Sequence, residues 1–197
     1  MRLAMGMTQE EALPVFNRYR NSVHYADAVA GRMLDALLAN GELENTLVVV
    51  TGDHGEEFFE HGHFGHTSNF AGTQVRVPLL LMGPGIPVGE EARPTSHLDV
   101  STTILELMGA DPAQRGDWTL GENLLSPPAK RNRVVADWHS VGLWVEGAIF
   151  CLPMTSYGGQ TEVYDMNWKL IEDDGEILKS QAGALLDLAL ESGRFRR

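Results

Sequence analysis

The chain has 197 residues, of which 43% are hydrophobic and 21% charged, with a formal net charge of -12. That supplies enough apolar material for a real core in one domain plus an appendage. The acidic balance argues against nucleic acid, and against an anionic membrane surface, as partners bound through a basic patch. Cys151 is the only cysteine, which excludes an intramolecular disulfide.

The opening Met1 to Met7 lacks the apolar stretch of a signal peptide, and no run is long enough to span a bilayer, so the chain as given reads as soluble. Thr8 and Glu11 have capping-box spacing, but Pro14 is expected to break a helix begun there, which predicts a helix over 15–39. Val15, Tyr19, Val23, Ala26, Ala30, Met33 and Leu37 recur at helical spacing and are expected to face a sheet. Asn40-Gly41 ends that helix. The run Leu47 to Val50, bounded by Glu44-Asn45 and Gly52, reads as a strand covered on both faces, and Val77 to Met82 as a second. Helical stretches beside them suggest parallel pairing. His97 to Met108 is predicted helical and is stopped by Gly109.

From about Ser126 the texture changes. Pro127-Pro128 and the basic cluster Lys130 to Arg133 read as a linker. Short runs follow at Val134 to Trp138, Leu143 to Glu146, Ala148 to Leu152, Glu162 to Met166 and Trp168 to Ile171. Gly147, Ser156-Tyr157-Gly158-Gly159 and Asn167 separate them, as in antiparallel hairpins. A helix over about Ile177 to Glu191 would lay Leu178, Ala182, Leu185, Leu186 and Ala189 over these strands. The fold class is α/β, a doubly wound, mostly parallel sheet in 1–128, followed by a small antiparallel α+β subdomain in 129–197.

Chemistry concentrates where the first strand ends. Asp53-His54-Gly55-Glu56 places a hard oxygen beside a borderline nitrogen, a pair suited to Zn or Mn. The plain alternative is a strand-end turn in which Asp53 caps an amide. Glu60-His61-Gly62-His63-Phe64-Gly65-His66 adds three imidazoles. His61 and His63, two apart, would point the same way in an extended loop and could share an ion, although solvated loop histidines are commoner. Glu56 and Glu57 would accept from a metal-bound imidazole, or serve as surface charge or caps. His97 starts or caps a helix; His24 and His139 read as structural.

The string from Thr51-Gly52-Asp53-His54-Gly55-Glu56 through His61-Gly62 and Gly65-His66, then Val77-Pro78-Leu79-Leu80-Leu81 and Gly83-Pro84-Gly85, resembles the sulfatase and alkaline phosphatase superfamily. Asn45-Thr46, Ser96-His97-Leu98-Asp99 and Glu162-Val163-Tyr164-Asp165 extend the resemblance over most of residues 15 to 170. Gly65 to Phe70, Leu185-Leu186 and Arg194-Phe195 are most similar to sulfatase-like proteins of bacterial inner membranes, which regulate lipopolysaccharide. The resemblance implies that Asp53 and His54 are metal ligands for a divalent ion, Zn or Mn favoured and Ca or Mg admitted. It implies that His66 contacts the ester or protonates the leaving group, and that the substrate is a sulfate or phosphate ester, lipid headgroups included. The parent protein would then lie at the periplasmic face of the inner membrane.

Cys151-Leu152-Pro153-Met154-Thr155 is similar to the sulfatase signature whose cysteine becomes formylglycine. Thr155 stands where arginine is required, and the segment follows Asp53 where the family nucleophile precedes it, so Cys151 is expected to fill a strand interior. Nothing ahead of Asp53 supplies a nucleophile or a first acidic ligand. The chain is therefore expected to be the C-terminal part of a larger protein, inactive alone, with an exposed sheet edge open to self-association. Two other readings stand beside the hydrolase: a non-catalytic regulator binding lipid or protein at the inner membrane, and a plain metal-binding module.

Overall fold

The computed structural model describes residues 8–128, 132–154, 159–172 and 175–194. The leader, part of the basic linker, Thr155 to Gly158 and Phe195 lie outside them. Contacts divide the chain into two units, Met1–Val88 and Gly89–Arg197.

The first unit opens with α1, Gln9–Ala39, which starts earlier than predicted. Thr8 is its cap, accepting from the Glu11 amide, while the Glu11 carboxylate accepts the Thr8 N–H at 2.8 Å. The reciprocal cap fixes the first turn, and Pro14 then removes a single intrahelical bond, to the solvent-exposed Glu10. The expected apolar stripe is only partly covered: Val15, Ala30 and Leu37 are half-buried, but Tyr19, Val23, Ala26 and Met33 are exposed. Docking falls instead to aromatic rings. Phe58 lies 4.9 Å from Phe16, edge-on, and 5.2 Å from Tyr19 between ring centroids.

The strands are β1, Val48–Thr51, a hairpin of β2, Glu57–Phe58, with β3, Phe64–Gly65, and, after the single-turn helix α2, Gly72–Val75, β4, Leu79–Met82. The expected α/β architecture with an open sheet is present. The direction of the core strands corrects the expectation of parallel pairing: β1 and β4 run antiparallel, Val48 opposite Met82 and Thr51 opposite Leu79. Parallel neighbours need a crossover that packs across the sheet. Here the connection holds only the hairpin and α2. Nor are these strands covered on both faces, since Val50, Leu80 and Met82 are exposed.

The second unit begins with α3, His97–Leu107, with His97 in its first turn. Asp99 is 1% exposed; its carboxylate accepts the Ser96 N–H at 2.7 Å and the Glu122 N–H at 2.9 Å, and Arg133 stands 4.0 Å away. Strands β5, Arg133–Ala136, β6, Ser140–Val145, β7, Ala148–Pro153, β8, Glu162–Tyr164, and β9, Leu170–Ile171, form one antiparallel sheet in sequence order, as the alternating short runs implied. Gly147, at φ 83, closes the tight β6–β7 turn in a conformation that side chains disfavour. The predicted last helix is two, α4, Glu176–Ser180, and α5, Ala182–Arg194, interrupted at Gln181. That break shifts the phase. Ile177, Leu178, Ala184, Leu185 and Leu188 pack on Leu143, Val145, Phe150 and Val163, whereas Ala182, Leu186 and Ala189 are exposed.

Glu106, nearly buried on α3, accepts from Arg115 Nε at 2.6 Å and from Asn123 Nδ2 at 2.8 Å. The Arg115 guanidinium beside it holds its carboxyl below the usual carboxylate range. A depressed folded value contributes stability that is present above the unfolded value of about 4.3 and is lost as pH falls through the folded one. Glu106→Gln is expected to cost about 1–3 kcal/mol at neutral pH and to flatten the acid limb of stability, read by urea melts across pH.

Candidate functional site

β1 delivers the chain to Asp53. One carboxylate oxygen accepts the His54 N–H at 2.9 Å, so the capping role is real, yet the side chain is 88% exposed and open to a second partner. That backbone donation, then the Asp53 amide and the His54 imidazole, hold its carboxyl below the usual range. Asp53 is therefore ionised at neutral pH.

His54 Nδ1 lies 2.9 Å from the Gly55 carbonyl oxygen. A carbonyl only accepts, so Nδ1 carries a hydrogen, and Nε2 stands 3.6 Å from Asp53 Oδ2. His66 is arranged alike: its Nδ1 donates to Glu56 Oε2 at 2.9 Å, leaving Nε2 free of that bond. The two imidazoles stack with centroids 4.1 Å apart and planes 30° from parallel. Among the described residues, His54, Glu56 and His66 form a group whose ligand atoms all lie within 4.8 Å of one another, a cluster able to hold a metal ion.

Each predicted site residue can thus be placed. His54 and His66 meet, although separated by a whole hairpin. Asp53 touches His54 but stands outside the three-residue group. His61 and His63 contribute backbone amides, both donated to Glu57 at 2.9 Å, and their rings are not in the group. Glu56 is the residue that sequence reasoning placed least firmly. In the structure Glu56 turns to His66 while Glu57, the first residue of β2, turns inward. Cys151 lies on β7 with its thiol pushed up to about 12, by burial first and then by the Glu162 and Asp137 carboxylates, and so stays protonated.

Two backbone features shape the site. Thr67, directly after His66, has φ 63, a left-handed conformation that costs a β-branched residue about 1–3 kcal/mol; its hydroxyl donates to the His66 carbonyl at 2.6 Å. Gly55 allows the chain to cross α2 closely: its N–H donates to the Gln74 carbonyl at 2.8 Å, and a Cβ there would lie 2.0 Å from the Thr73 oxygen. Gly55→Ala is expected to cost at least about 2 kcal/mol in chemical denaturation and to spread His54 from His66, because backbone cannot yield as a flexible side chain would.

Comparison with known proteins follows the same residues. The family model described as Sulfatase matches residues 4–110. Choline-sulfatase from Rhizobium meliloti (strain 1021) is 34% identical over 119 residues, 60% of this chain and 23% of that protein. Inner membrane protein YejM from Salmonella typhimurium is 26% identical over 180 residues, 90% of this chain and 29% of that protein. The chain spans about a quarter of the length of these relatives. The solved structure of BT4656, in complex with its substrate D-glucosamine-2-N,6-O-disulfate, matches with a TM-score of 0.60 at 21% identity, over 87% of this chain and 39% of that one, which shows a shared fold. Because the family match covers more than half of the sequence and contains the whole histidine cluster, the chain belongs to the sulfatase family, within the sulfatase and alkaline phosphatase superfamily.

Proposed function

We propose that this chain carries the metal-binding and leaving-group side of a hydrolase or transferase acting on sulfate or phosphate esters. The observation that carries the reading is the convergence of His54, Glu56 and His66 at one place. Asp53 and His54 are the ligands we assign, an ionised carboxylate with the His54 Nε2 3.6 Å from one of its oxygens. Mixed oxygen and nitrogen donors fit Zn or Mn better than Ca or Mg, which favour all-oxygen surroundings. A bound divalent ion would supply charge stabilisation for the transferring group.

His66 is the proton donor in this reading. With Nδ1–H committed to Glu56, a protonated ring directs Nε2–H outward, towards a leaving oxygen, and Glu56 keeps the ring aimed. The attacking group and a further acidic ligand are not assigned on this chain, so little or no ester turnover is expected from it alone. Lipid headgroups are among the candidate esters.

The similarity to an inner membrane protein across 90% of the chain favours a second reading, a non-catalytic regulator binding lipid or protein at the periplasmic face of the membrane. No helix among the described residues is long and apolar enough to cross a bilayer. The open edges of the β1–β4 pair are where self-association would occur.

Metal analysis after dialysis against Zn2+ or Mn2+ tests the first reading. The purified chain should retain about one ion, and a double variant, Asp53→Ala with His54→Ala, should lose affinity by more than about 100-fold, beyond the cost of removing an outer hydrogen-bond partner. Equal metal content in the two proteins overturns the assignment. Glu56→Gln locates the ion: it keeps the metal if Asp53 and His54 hold it, and loses it if the ion sits among His54, Glu56 and His66.

A further inference from the structure

We propose that Glu57 is a positioning residue for this centre: its buried carboxylate fixes the chain on both sides of His66 and so holds the His66 ring against His54. The inference rests on reading His54, Glu56 and His66 as the functional centre.

Glu57 is 0% exposed, and its two oxygens meet four donors. Oε1 accepts the His61 and His63 N–H groups, both at 2.9 Å; Oε2 accepts Asn69 Nδ2 at 2.7 Å and Gln74 Nε2 at 2.8 Å. A carboxylate accepts about four hydrogen bonds and donates none, so every site is used. Two of the donors precede His66 in the chain and two follow it. The His66 backbone is thereby strung between two points tied to one side chain.

The donors cannot simply turn round. The Asn69 oxygen accepts the Ala71 N–H at 2.9 Å, and the Gln74 oxygen accepts the Ser68 N–H at 3.2 Å, which orients both amide groups with nitrogen towards Glu57. Gln74 also offers its carbonyl to Gly55, next to His54. One network therefore reaches both histidines. Glutamine in place of Glu57 would turn an NH2 group on two buried donors in either amide orientation, leaving them without an acceptor. The neighbouring Glu56 reaches the His66 ring directly, while Glu57 reaches only its backbone surroundings. That division separates a contact with the ring from the placing of it.

The test uses the full chain with Co2+ alone as the probe. It compares wild type with Glu57→Gln, Asn69→Ala, His54→Ala and, as a destabilised control remote in sequence, Glu106→Gln. Co2+ affinity is read from visible absorption, and the Nδ1–H proton resonance of His66, assigned by its loss in His66→Ala, reports the ring without any metal. Glu57→Gln should still melt cooperatively, lose the His66 resonance and bind Co2+ about 10–100-fold more weakly. Asn69→Ala should lie between, and Glu106→Gln should move neither signal. The proposal is overturned if Glu57→Gln folds with the resonance intact and an affinity within about twofold of wild type, since outer partners of a true site cost far more. If Glu57→Gln does not fold, Asn69→Ala decides: both signals unchanged overturns the proposal, and both weakened supports it. Wild type binding Co2+ no better than His54→Ala would sink the metal reading, and the His66 resonance would then decide the positioning role by itself.

Discussion

A carboxylate removed from water stays charged only when other donors replace the lost solvent. Burial raises the carboxyl of Glu57, but the Asn69 and Gln74 amides and the His63 and His61 N–H groups outweigh it, leaving the group below the usual carboxylate range. The same four bonds organise the loop. A chain segment with a glycine at 62, left-handed residues at 59 and 67, and a hairpin of two residues a side has little regular structure of its own. Much of its geometry comes from four donors, at 61, 63, 69 and 74, that share one carboxylate. What looks like a loop in the chain is, in packing terms, a shell around a single anion.

That arrangement explains how a small first unit can present a defined site. The β1–β4 pair is short and half-covered, and α1 meets the hairpin through Phe16, Tyr19 and Phe58. Neither supplies much buried apolar area near His54. Polar specification does the work that a thick core does elsewhere, and it couples stability to ionisation. The second unit is built the other way, with Phe150, Leu143 and Val163 under α4 and α5, although Asp99 and Glu106 repeat the device of a buried acid gathering backbone and side-chain donors.

Much of this was legible in the residues. The apolar runs, the capping residues and Gly147 mark strands, helix starts and a hairpin because each acts locally. The family was legible through the pattern around Asp53-His54 and Gly65-His66, and each histidine was marked there separately, but their contact was not. Strand direction was not, because Leu47 to Val50 reads the same whichever way its neighbour runs. The start of α1 is ambiguous in the residues because Pro14 signals a break while Thr8 and Glu11 signal a cap, and the cap prevails. The break at Gln181 is marked only by Gly183, which lies inside α5 and by itself does not say whether the helix stops. Glu57 was hidden for a different reason. Its four partners come from 61, 63, 69 and 74, and nothing in the order of residues says that they converge.

The middle of α1 has a consequence for motion. Residues Arg20 to Ala28 are all exposed, between an aromatic anchor at Phe16 and Tyr19 and a half-buried stretch that begins at Val29. Asn21, Ser22, Val23, His24 and Tyr25 are indifferent helix formers, so this span is held mainly by its own backbone ladder. Within the helix interior, amide hydrogens there should trade with deuterium from the solvent sooner than those of the anchored stretches on either side. A rod fastened at two places and bare between them can bend without releasing either end, so the hairpin below Phe58 can shift while the far end of α1 stays where it is.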